Sequence, residues 1–249
     1  MVIKTQAKLI DKQQLSQDVF SFTFEAQDNF IFKSGHFLNF ILPLKDQQRP
    51  LRRAYSIASR PYSKLKDEQG YKKIFELCVK IDLKGQFTPI LQNSELKSKF
   101  EIMGPLGLFT LKDIENTSIS QVFIAAGTGI APMRSFILDL LVNKNFKGKV
   151  ILLFGVRTHE DVLFQDEFTQ LAKKYSNFSF YYTLSRPDES YQGLQGYVQD
   201  NLHILKGEDI DIQNCRFYIC GRTKMVDSVH EKLDELEVSK ELRSHEKFG

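Results

Sequence analysis

A chain of 249 residues with 42% hydrophobic residues, 26% charged residues and a net charge of +3 has the composition of an ordinary soluble protein, with room for one large or two modest domains. No apolar run is long enough to cross a membrane, and the first residues lack the features of a signal peptide, so we expect a cytoplasmic protein without a membrane span. The three cysteines are too few and too irregularly spaced for a disulfide framework or a four-cysteine metal site, so we expect no bound metal.

The first half of the chain contains short apolar and aromatic runs separated by polar turns. In chain order, the runs are VFSFTF, HFLNFIL, AYSIA, KIFELCVKI and FEIMG. The alternation within Val19–Phe24 is typical of a half-buried strand, and runs at this spacing predict an antiparallel β barrel. The polar stretch from Arg60 to Lys73 predicts a loop between two strands.

The second half alternates apolar strands with amphipathic helices. Strands are predicted at Val122–Ala126, Val150–Phe154, Phe178–Leu184 and Phe217–Cys220. Apolar residues at helical spacing predict one helix that begins at Pro132, a second over Phe164–Tyr175 and a third over Met225–Leu236. This alternation predicts a parallel sheet that is covered on both faces.

We therefore predict a β-barrel domain over residues 1–113 and an α/β domain over residues 114–249. Up to Asp113, 18 Lys and Arg stand against 12 Asp and Glu, a net of +6, and from Ile114 onward 16 stand against 19, a net of −3. A basic half beside an acidic half suggests a directional surface for an acidic partner. Nucleic acid is the rival partner, which we do not expect because the basic residues are scattered and no nucleic-acid motif is present.

The run Arg53-Ala54-Tyr55-Ser56 lies on one predicted strand. Alternation places the Arg53 and Tyr55 side chains on one face of that strand and Ser56 on the other. A flavin needs such a set, because a cation can hold its pyrophosphate, a ring can lie beside the isoalloxazine and a hydroxyl can bond its reactive nitrogen. Taken alone, the same four residues are also compatible with a plain strand end.

A second motif, Gly127-Thr128-Gly129-Ile130-Ala131-Pro132, joins a buried strand to a helix. Glycines allow a tight turn, and proline suits the first helical turn because its missing N–H would be unpaired there. The exposed N–H groups at such a helix start can hold a pyrophosphate. The alternative is a turn without a ligand, since proline replaces the third glycine of the usual dinucleotide motif.

Together with Cys220-Gly221 near the C-terminus, these motifs resemble, in order and separation, the signature of the ferredoxin–NADP reductase superfamily. The resemblance covers nearly the whole chain. It implies an N-terminal antiparallel FAD-binding barrel followed by a parallel-sheet NAD(P)-binding domain, with the NAD(P)H pyrophosphate at Gly127–Ala131. It implies no attached ferredoxin, haem or iron–sulfur segment, although Cys215 and Cys220 have the spacing of one part of a plant-type iron–sulfur motif.

The resemblance also assigns roles outside these motifs. The turn Gly85-Gln86-Phe87-Thr88 is expected at the FAD pyrophosphate, with an N-cap by Thr88 as the alternative, and Val79 joins the cofactor-binding residues. Cys220 is expected at the nicotinamide-binding face of the flavin with Met225 as its companion, and a thiol buried in the core is the alternative. The catalytic set that the resemblance implies is Ser56, Cys220 and Glu246.

Two further segments bear on the nucleotide and the flavin. Glu246 and Phe248 resemble the acid and the aromatic that end many family members, with a frayed terminus as the alternative. Ser185 and Arg186 follow a strand whose end meets the adenosine ribose in the superfamily, and an arginine there suits the 2′-phosphate of NADPH. Arg157 or Arg222 is available as a second cation, and a solvated turn is the alternative for Arg186.

The function that the resemblance implies is an FAD-dependent oxidoreductase. It would pass a hydride from NADPH, or less favourably from NADH, to FAD and then single electrons to a protein such as ferredoxin or flavodoxin. One alternative is a non-catalytic electron-transfer or redox-sensing subunit of a larger complex, and another is an NADH-using reductase component of an oxygenase. The intact Arg53–Ser56 run and Cys220 favour the enzyme.

Overall fold

The computed structural model describes residues 1–27, 30–43, 49–61, 64–67 and 70–248, with the backbone alone for residues 64–67 and 70–72. The chain divides into two compact units. The first contains Met1–Thr110 and Arg134–Asp139, and the second contains Leu111–Met133 and Leu140–Gly249.

The first unit is built on an antiparallel sheet. Its strands are β1 (Ile3–Gln14), β2 (Val19–Ala26), β3 (Phe37–Leu42), β4 (Leu51–Ser56), β5 (Lys64–Asp67), β6 (Gly70–Lys80) and β7 (Lys99–Leu106), and a short helix α1 covers Thr88–Asn93. The described strands lie in the order β4-β3-β7-β1-β2-β6-β5 and pair antiparallel.

Phenylalanines fill the inside of this sheet. Phe24 stacks on Phe75 with ring centroids 5.4 Å apart, and the centroid of Phe40 lies 4.8 Å from that of Phe87. All four rings are buried in one apolar cluster. Burying such large side chains supplies much of the driving force for folding this unit, and the antiparallel barrel that the sequence predicts is confirmed.

The sheet closes on itself just after β4. Ile57 forms an isolated antiparallel bridge with Leu77 of β6, and the Ala58 N–H donates to the Glu76 carbonyl oxygen at 2.8 Å. Because β4 is an edge strand and β6 lies next to the opposite edge, this bridge joins the two sides of the curled sheet.

Within the stretch from Arg60 to Lys73, for which the sequence predicts a loop, residues 64–67 and 70–73 form strands, and residues 62–63 and 68–69 lie outside the described residues. The backbone of β5 pairs with the start of β6, with Lys64 opposite Lys73 and Asp67 opposite Gly70. Pairing between backbone groups decides these strands, whereas the polar sequence offers no apolar alternation that would reveal them.

Parallel strands form the sheet of the second unit. They are β8 (Ser120–Ala126), β9 (Val150–Val156), β10 (Phe178–Leu184), β11 (Leu194–Gln195), β12 (Cys215–Arg222) and β13 (Arg243–Phe248). The described strands lie in the order β11-β10-β9-β8-β12-β13 with parallel pairing.

Helices connect these strands. The α-helices are α2 (Ile130–Leu138), α3 (Gln165–Lys174) and α4 (Thr223–Glu235). Tighter 3₁₀ segments cover Gly127–Gly129, His159–Asp161, Val198–Glu208, Ile212–Asn214 and Lys240–Leu242, and a π segment covers Asp139–Asn143. No helix in the described part of the chain has the length and apolar character that crossing a membrane requires.

Most elements predicted for the second half are confirmed, with two corrections. α2 begins at Ile130 rather than at Pro132, because the 3₁₀ turn before it already sets the helical direction. The C-terminal segment through Phe248 is a strand paired in parallel with β12, so the alternative of a frayed terminus is wrong for these residues.

Gly129 brings the turn after β8 against the end of β12. A Cβ atom added to Gly129 would lie 2.2 Å from the Cys220 carbonyl oxygen and 2.6 Å from its carbonyl carbon. Backbone cannot yield as a flexible side chain can, so only glycine fits this contact. Gly207, in contrast, has nothing within 4 Å of an added Cβ.

Replacing Gly129 with alanine is expected to lower the free energy of unfolding by about 1–3 kcal/mol, the usual cost of overpacking a close contact. Gly207→Ala is the matched control and is expected to change it by less than about 0.5 kcal/mol. Urea unfolding followed by circular dichroism measures both, and equal midpoints for the two variants would contradict the close contact.

Candidate functional site

β4 carries the Arg53–Ser56 motif, and side-chain exposure falls from Arg53 to Ser56 rather than alternating from residue to residue. Pairing with β3 sets Ser56 opposite Phe37. Arg53 and Ala54 are exposed, Tyr55 is half-buried, and Ser56 is only 7% exposed. One strand therefore offers a solvent-facing cation, a partly covered ring and a sheltered hydroxyl within four residues.

The Tyr55 ring packs against the aromatic core of the first unit. Its centroid lies 5.8 Å from that of Phe40 and 5.7 Å from that of Phe87. Burial raises the pKa of the Tyr55 phenol to about 12, and the charge of Arg53 opposes this shift. The phenol therefore stays protonated at neutral pH and presents an uncharged ring.

Thr88 closes the turn that precedes α1. Its hydroxyl accepts a hydrogen bond from the Asp82 N–H and donates one to the Asp82 carbonyl oxygen, both at 2.9 Å. Thr88 is the first residue of α1 and Phe87 is its N-cap, so the N-cap by Thr88 is not formed. Gln86 is the exposed residue of this turn, Gly85 is half-buried, and the Val79 side chain lies in the core.

The carboxyl ends of the parallel strands meet at one edge of the second sheet. Sites in such sheets lie at this edge, because loops follow the strands there. The residues that the sequence predicted for the nucleotide follow or end these strands; they are Gly127–Pro132 after β8, Arg157 after β9, Ser185 and Arg186 after β10, Cys220 and Gly221 in β12, and Glu246 and Phe248 in β13.

The glycine turn at this edge leaves open space above a helix start. Gly127 is exposed and has a φ of +54°, a left-handed conformation that favours glycine, and an added Cβ would meet nothing within 4 Å. The Ile130 N–H bonds back to the carbonyl oxygens of Gly127 and Thr128, while Ala131 and Pro132 are buried in α2. An anion can therefore approach the backbone of this turn closely.

Two arginines lie side by side at the same edge. The Arg186 N–H donates to the Arg157 carbonyl oxygen at 2.8 Å, and the Ser185 N–H donates to that of Val156 at 3.0 Å. Both arginine side chains are exposed. Arg222 ends β12, which is separated from β10 by two strands, so Arg157 is the better placed companion of Arg186.

Cys220 and Glu246 are opposite one another in the register of β12 and β13. Burial raises the pKa of the Cys220 thiol well above its ordinary value, and the charge of Glu246 adds to the shift. The thiol is thus a neutral group with no exposed surface. A Cβ added to Gly221 would lie 3.1 Å from the Met225 sulfur, and Glu246 and Phe248 are both half-buried.

A groove along β10 was not indicated by any sequence motif. Its volume is about 630 Å³, and its walls include Tyr182, whose ring centroid lies 6.1 Å from that of Tyr191 and 6.0 Å from that of His159. Asp188 also lines it, and its lining residues include neither Lys nor Arg. The groove therefore suits a neutral ring better than a phosphate. The density of tyrosines around it is the signal that could have predicted it from the sequence.

The sequence motifs also gave no sign of a buried arginine in the first unit. Arg134 is 9% exposed, and its guanidinium donates to the Glu76 carboxylate at 2.5 Å and to the Ala58 carbonyl oxygen at 3.1 Å. A single arginine within the apolar run IAPMRSFIL was the available signal. Its contacts lie just beyond the end of β4.

The donor sets fit two organic cofactors. A cation, a ring and a sheltered hydroxyl on β4 suit a flavin, and an open glycine turn beside paired arginines suits a dinucleotide. Among the described residues, no group of three or more His, Cys, Asp or Glu side chains is arranged to hold a metal ion.

Comparison with known proteins points to the same two cofactors, a flavin and a nicotinamide dinucleotide. Residues 6–111 match the oxidoreductase FAD-binding domain family, and residues 123–231 match the oxidoreductase NAD-binding domain family. The chain is 32% identical to ferredoxin–NADP reductase B of Sorangium cellulosum, over 91% of this chain and 89% of that protein. It is 33% identical to one subunit of the Na⁺-translocating NADH-quinone reductase of Neisseria meningitidis over 80% of this chain, which spans only 50% of that relative.

Solved structures share the fold. A cytochrome P450 reductase from Amycolatopsis superposes with a TM-score of 0.84 at 21% identity, covering 99% of this chain and 70% of that one. The ferredoxin–NADP⁺ reductase of Plasmodium falciparum with 2′P-AMP gives a TM-score of 0.78 at 23% identity, covering 98% and 96%. At these identities the likeness concerns the fold alone.

Native protein is expected to resist thiol-specific reagents. All three cysteines are buried, and burial raises the pKa of Cys78 and Cys215 to about 12. Because the thiolate is the reactive form, a disulfide reagent at pH 8 should titrate the thiols only after unfolding in urea. Rapid labelling of one native thiol that disappears in Cys220→Ser would contradict the burial of Cys220.

Proposed function

The chain belongs to the ferredoxin–NADP reductase superfamily and is an FAD- and NAD-binding oxidoreductase, and on that premise we propose that it is a reductase that oxidises NADPH and passes single electrons to a small acidic carrier protein such as ferredoxin or flavodoxin. The observation that carries this proposal is the grouping of the motif residues. The Arg53–Ser56 motif for a flavin lies on β4, whereas the predicted flavin residues Val79 and Gly85–Thr88 lie on β6 and before or at the start of α1. The motif residues for a nucleotide follow or end strands at the carboxyl edge of the parallel sheet.

Residues on β4 would hold and orient the flavin. Bound FAD supplies the ability to accept a hydride and release electrons singly. Arg53 neutralises pyrophosphate charge, and Tyr55 offers an uncharged ring to the side of the isoalloxazine. With FAD bound, the Ser56 hydroxyl would donate a hydrogen bond to the flavin ring, and its shelter from water would strengthen that bond. An interaction of this kind contributes to turnover more than to binding.

Residues at the sheet edge would hold the nucleotide. Backbone N–H groups at Gly127–Gly129 bind its pyrophosphate, and the open space above Gly127 admits the phosphate oxygens. Arg186 and Arg157 bind the 2′-phosphate, since a guanidinium fork matches phosphate geometry. Cys220 has no exposed surface, so its neutral thiol would contact the nicotinamide only if the groups that cover it moved, and Glu246 opposite it would set the local charge.

Charge supports an acidic electron acceptor. Residues up to Asp113 carry 18 Lys and Arg against 12 Asp and Glu, whereas the rest of the chain has a net negative charge. A basic surface on the flavin-binding half raises the rate at which an acidic carrier meets it, and salt screens that attraction.

A second candidate is an NADH-dependent reductase that serves within a larger complex. The 33% identity to one subunit of an NADH-quinone reductase favours it, since this chain matches half of that relative. Nucleotide preference separates the two candidates.

Purified protein, or protein reconstituted with flavin, is expected to be yellow and to release FAD rather than FMN on denaturation. Arg53 and the turn at Gly85 would both address the pyrophosphate, which FMN lacks. Chromatography of the released flavin identifies it, and bleaching of the yellow colour by NADPH under anaerobic conditions reports reduction. Protein that takes up no FAD would overturn the proposed function.

The parent chain is expected to prefer NADPH to NADH. Arg186→Ala should lower the ratio of kcat/KM for NADPH to that for NADH by roughly 10-fold, and the Arg157→Ala, Arg186→Ala double variant should lower it further, because charge-assisted hydrogen bonds contribute about 1.5–3 kcal/mol each.

Lys173→Ala is the control, since it removes an exposed cation from α3 without touching the strand ends. A parent that prefers NADH, or an unchanged ratio in the double variant, would favour the second candidate instead.

A further inference from the structure

The chain changes partners immediately after Ser56. Up to Ser56, β4 pairs with β3. The Ile57 N–H donates to the His36 carbonyl oxygen at 2.9 Å, and the Ala58 N–H then donates to the Glu76 carbonyl oxygen at 2.8 Å. The next residue, Ser59, accepts the Glu76 N–H on its side-chain oxygen at 3.0 Å. Ala58 and Ser59 are therefore hydrogen-bonded to β6 rather than to β3.

Side chains of α2 hold the carbonyl groups of this segment within the first unit. The Arg134 guanidinium donates to the Ala58 carbonyl oxygen at 3.1 Å, and the Ser135 hydroxyl donates to the Ser59 carbonyl oxygen at 2.6 Å. The same Arg134 nitrogen lies 2.5 Å from the Glu76 carboxylate. Both donors are buried, Arg134 at 9% exposure and Ser135 at 0%.

Arg134 therefore binds both sides of the point where the chain changes partners. It contacts the carbonyl of Ala58, two residues after Ser56, and the side chain of Glu76, whose backbone receives the Ala58 N–H. A charged donor to a neutral carbonyl is stronger than a neutral one. The backbone direction after Ser56 is thus set by groups outside β3 and β4.

We propose that Arg134 is a positioning residue for Ser56: by fixing Ile57–Ser59 it fixes the direction in which the Ser56 hydroxyl presents its hydrogen. The inference rests on the proposed function, in which that hydrogen meets the flavin. A displacement of about 1 Å at a reacting group costs roughly 100-fold in rate, so a small shift of this segment is enough to matter. Arg134 itself needs no contact with the cofactor.

A double-mutant cycle in FAD-loaded protein tests the proposal. Ser56→Ala alone should slow flavin reduction by NADPH in the stopped flow by about 10-fold, which corresponds to about 1.4 kcal/mol. Arg134→Gln should slow the parent similarly but slow the Ser56→Ala chain by less than about 2-fold, because the hydroxyl that it orients is already absent. Arg134→Lys, which keeps a charged donor, should restore part of the rate.

Arg216→Gln is the matched control for loss of a buried arginine. Arg216 is 8% exposed and binds Asp113 and a backbone carbonyl in the second unit. Any slowing that its replacement causes should therefore be equal in the parent chain and in the Ser56→Ala chain.

Hydrogen exchange of the flavin-free protein provides a readout that does not depend on turnover. Arg134→Gln should speed exchange of the peptide that contains the Ile57 and Ala58 amides, while peptides from β8 and β9 keep the parent rate. If Arg134→Gln does not fold, Ser135→Ala removes one bond to the same segment and is measured in both assays in its place.

The outcomes separate the inference from the proposed function. A chain that takes up no FAD, or a Ser56→Ala chain that is reduced as fast as the parent, would overturn the Ser56 role and the inference together. Equal slowing by Arg134→Gln in both backgrounds, or unchanged exchange at Ile57 and Ala58, would overturn the inference alone.

Discussion

A strand that ends inside a barrel must find new partners for its backbone groups, and this constraint governs the end of β4. Unpaired buried N–H and carbonyl groups are rare because each costs about as much as a lost hydrogen bond. Here the N–H groups find the carbonyls of His36 and Glu76, and the Ala58 carbonyl finds Arg134. The ion pair of Arg134 with Glu76 is only partly withdrawn from water, since the Glu76 side chain keeps 30% exposure. That exposure lowers the desolvation cost of the charges.

The second unit meets a different requirement, which is to bring residues from distant parts of the sequence to one edge. Parallel strands do so automatically, because their carboxyl ends share an edge. Gly129 tightens the arrangement, since its missing Cβ lets the turn after β8 lie against the Cys220 carbonyl. The same contact brings the glycine motif against the Cys220-Gly221 motif although about ninety residues separate them in the sequence.

Family membership explains these motifs, and two further surfaces in the second unit lie outside them. A pair of exposed arginines stands at the ends of β9 and β10, joined by the hydrogen bond from the Arg186 N–H to the Arg157 carbonyl. A tyrosine-lined groove lies along β10 with a carboxylate in its wall. The two surfaces differ in charge, so one suits a phosphate and the other an uncharged ring.

The sequence by itself determined the two kinds of sheet, the strands with clear apolar patterns and the motif residues on β4 and after β8. These features are local: alternation, helical spacing and glycine or proline at a turn are read from neighbouring residues. Only the tertiary structure decided the pairing of β5 with β6, the strand character of Arg243–Phe248, the hydrogen bond of the Thr88 hydroxyl to Asp82 and that of Arg134 to Ala58. In each case the partner is a group that no local sequence pattern identifies. Strand pairing, burial and hydrogen bonding form only when the chain folds, so the tertiary structure is needed to find them.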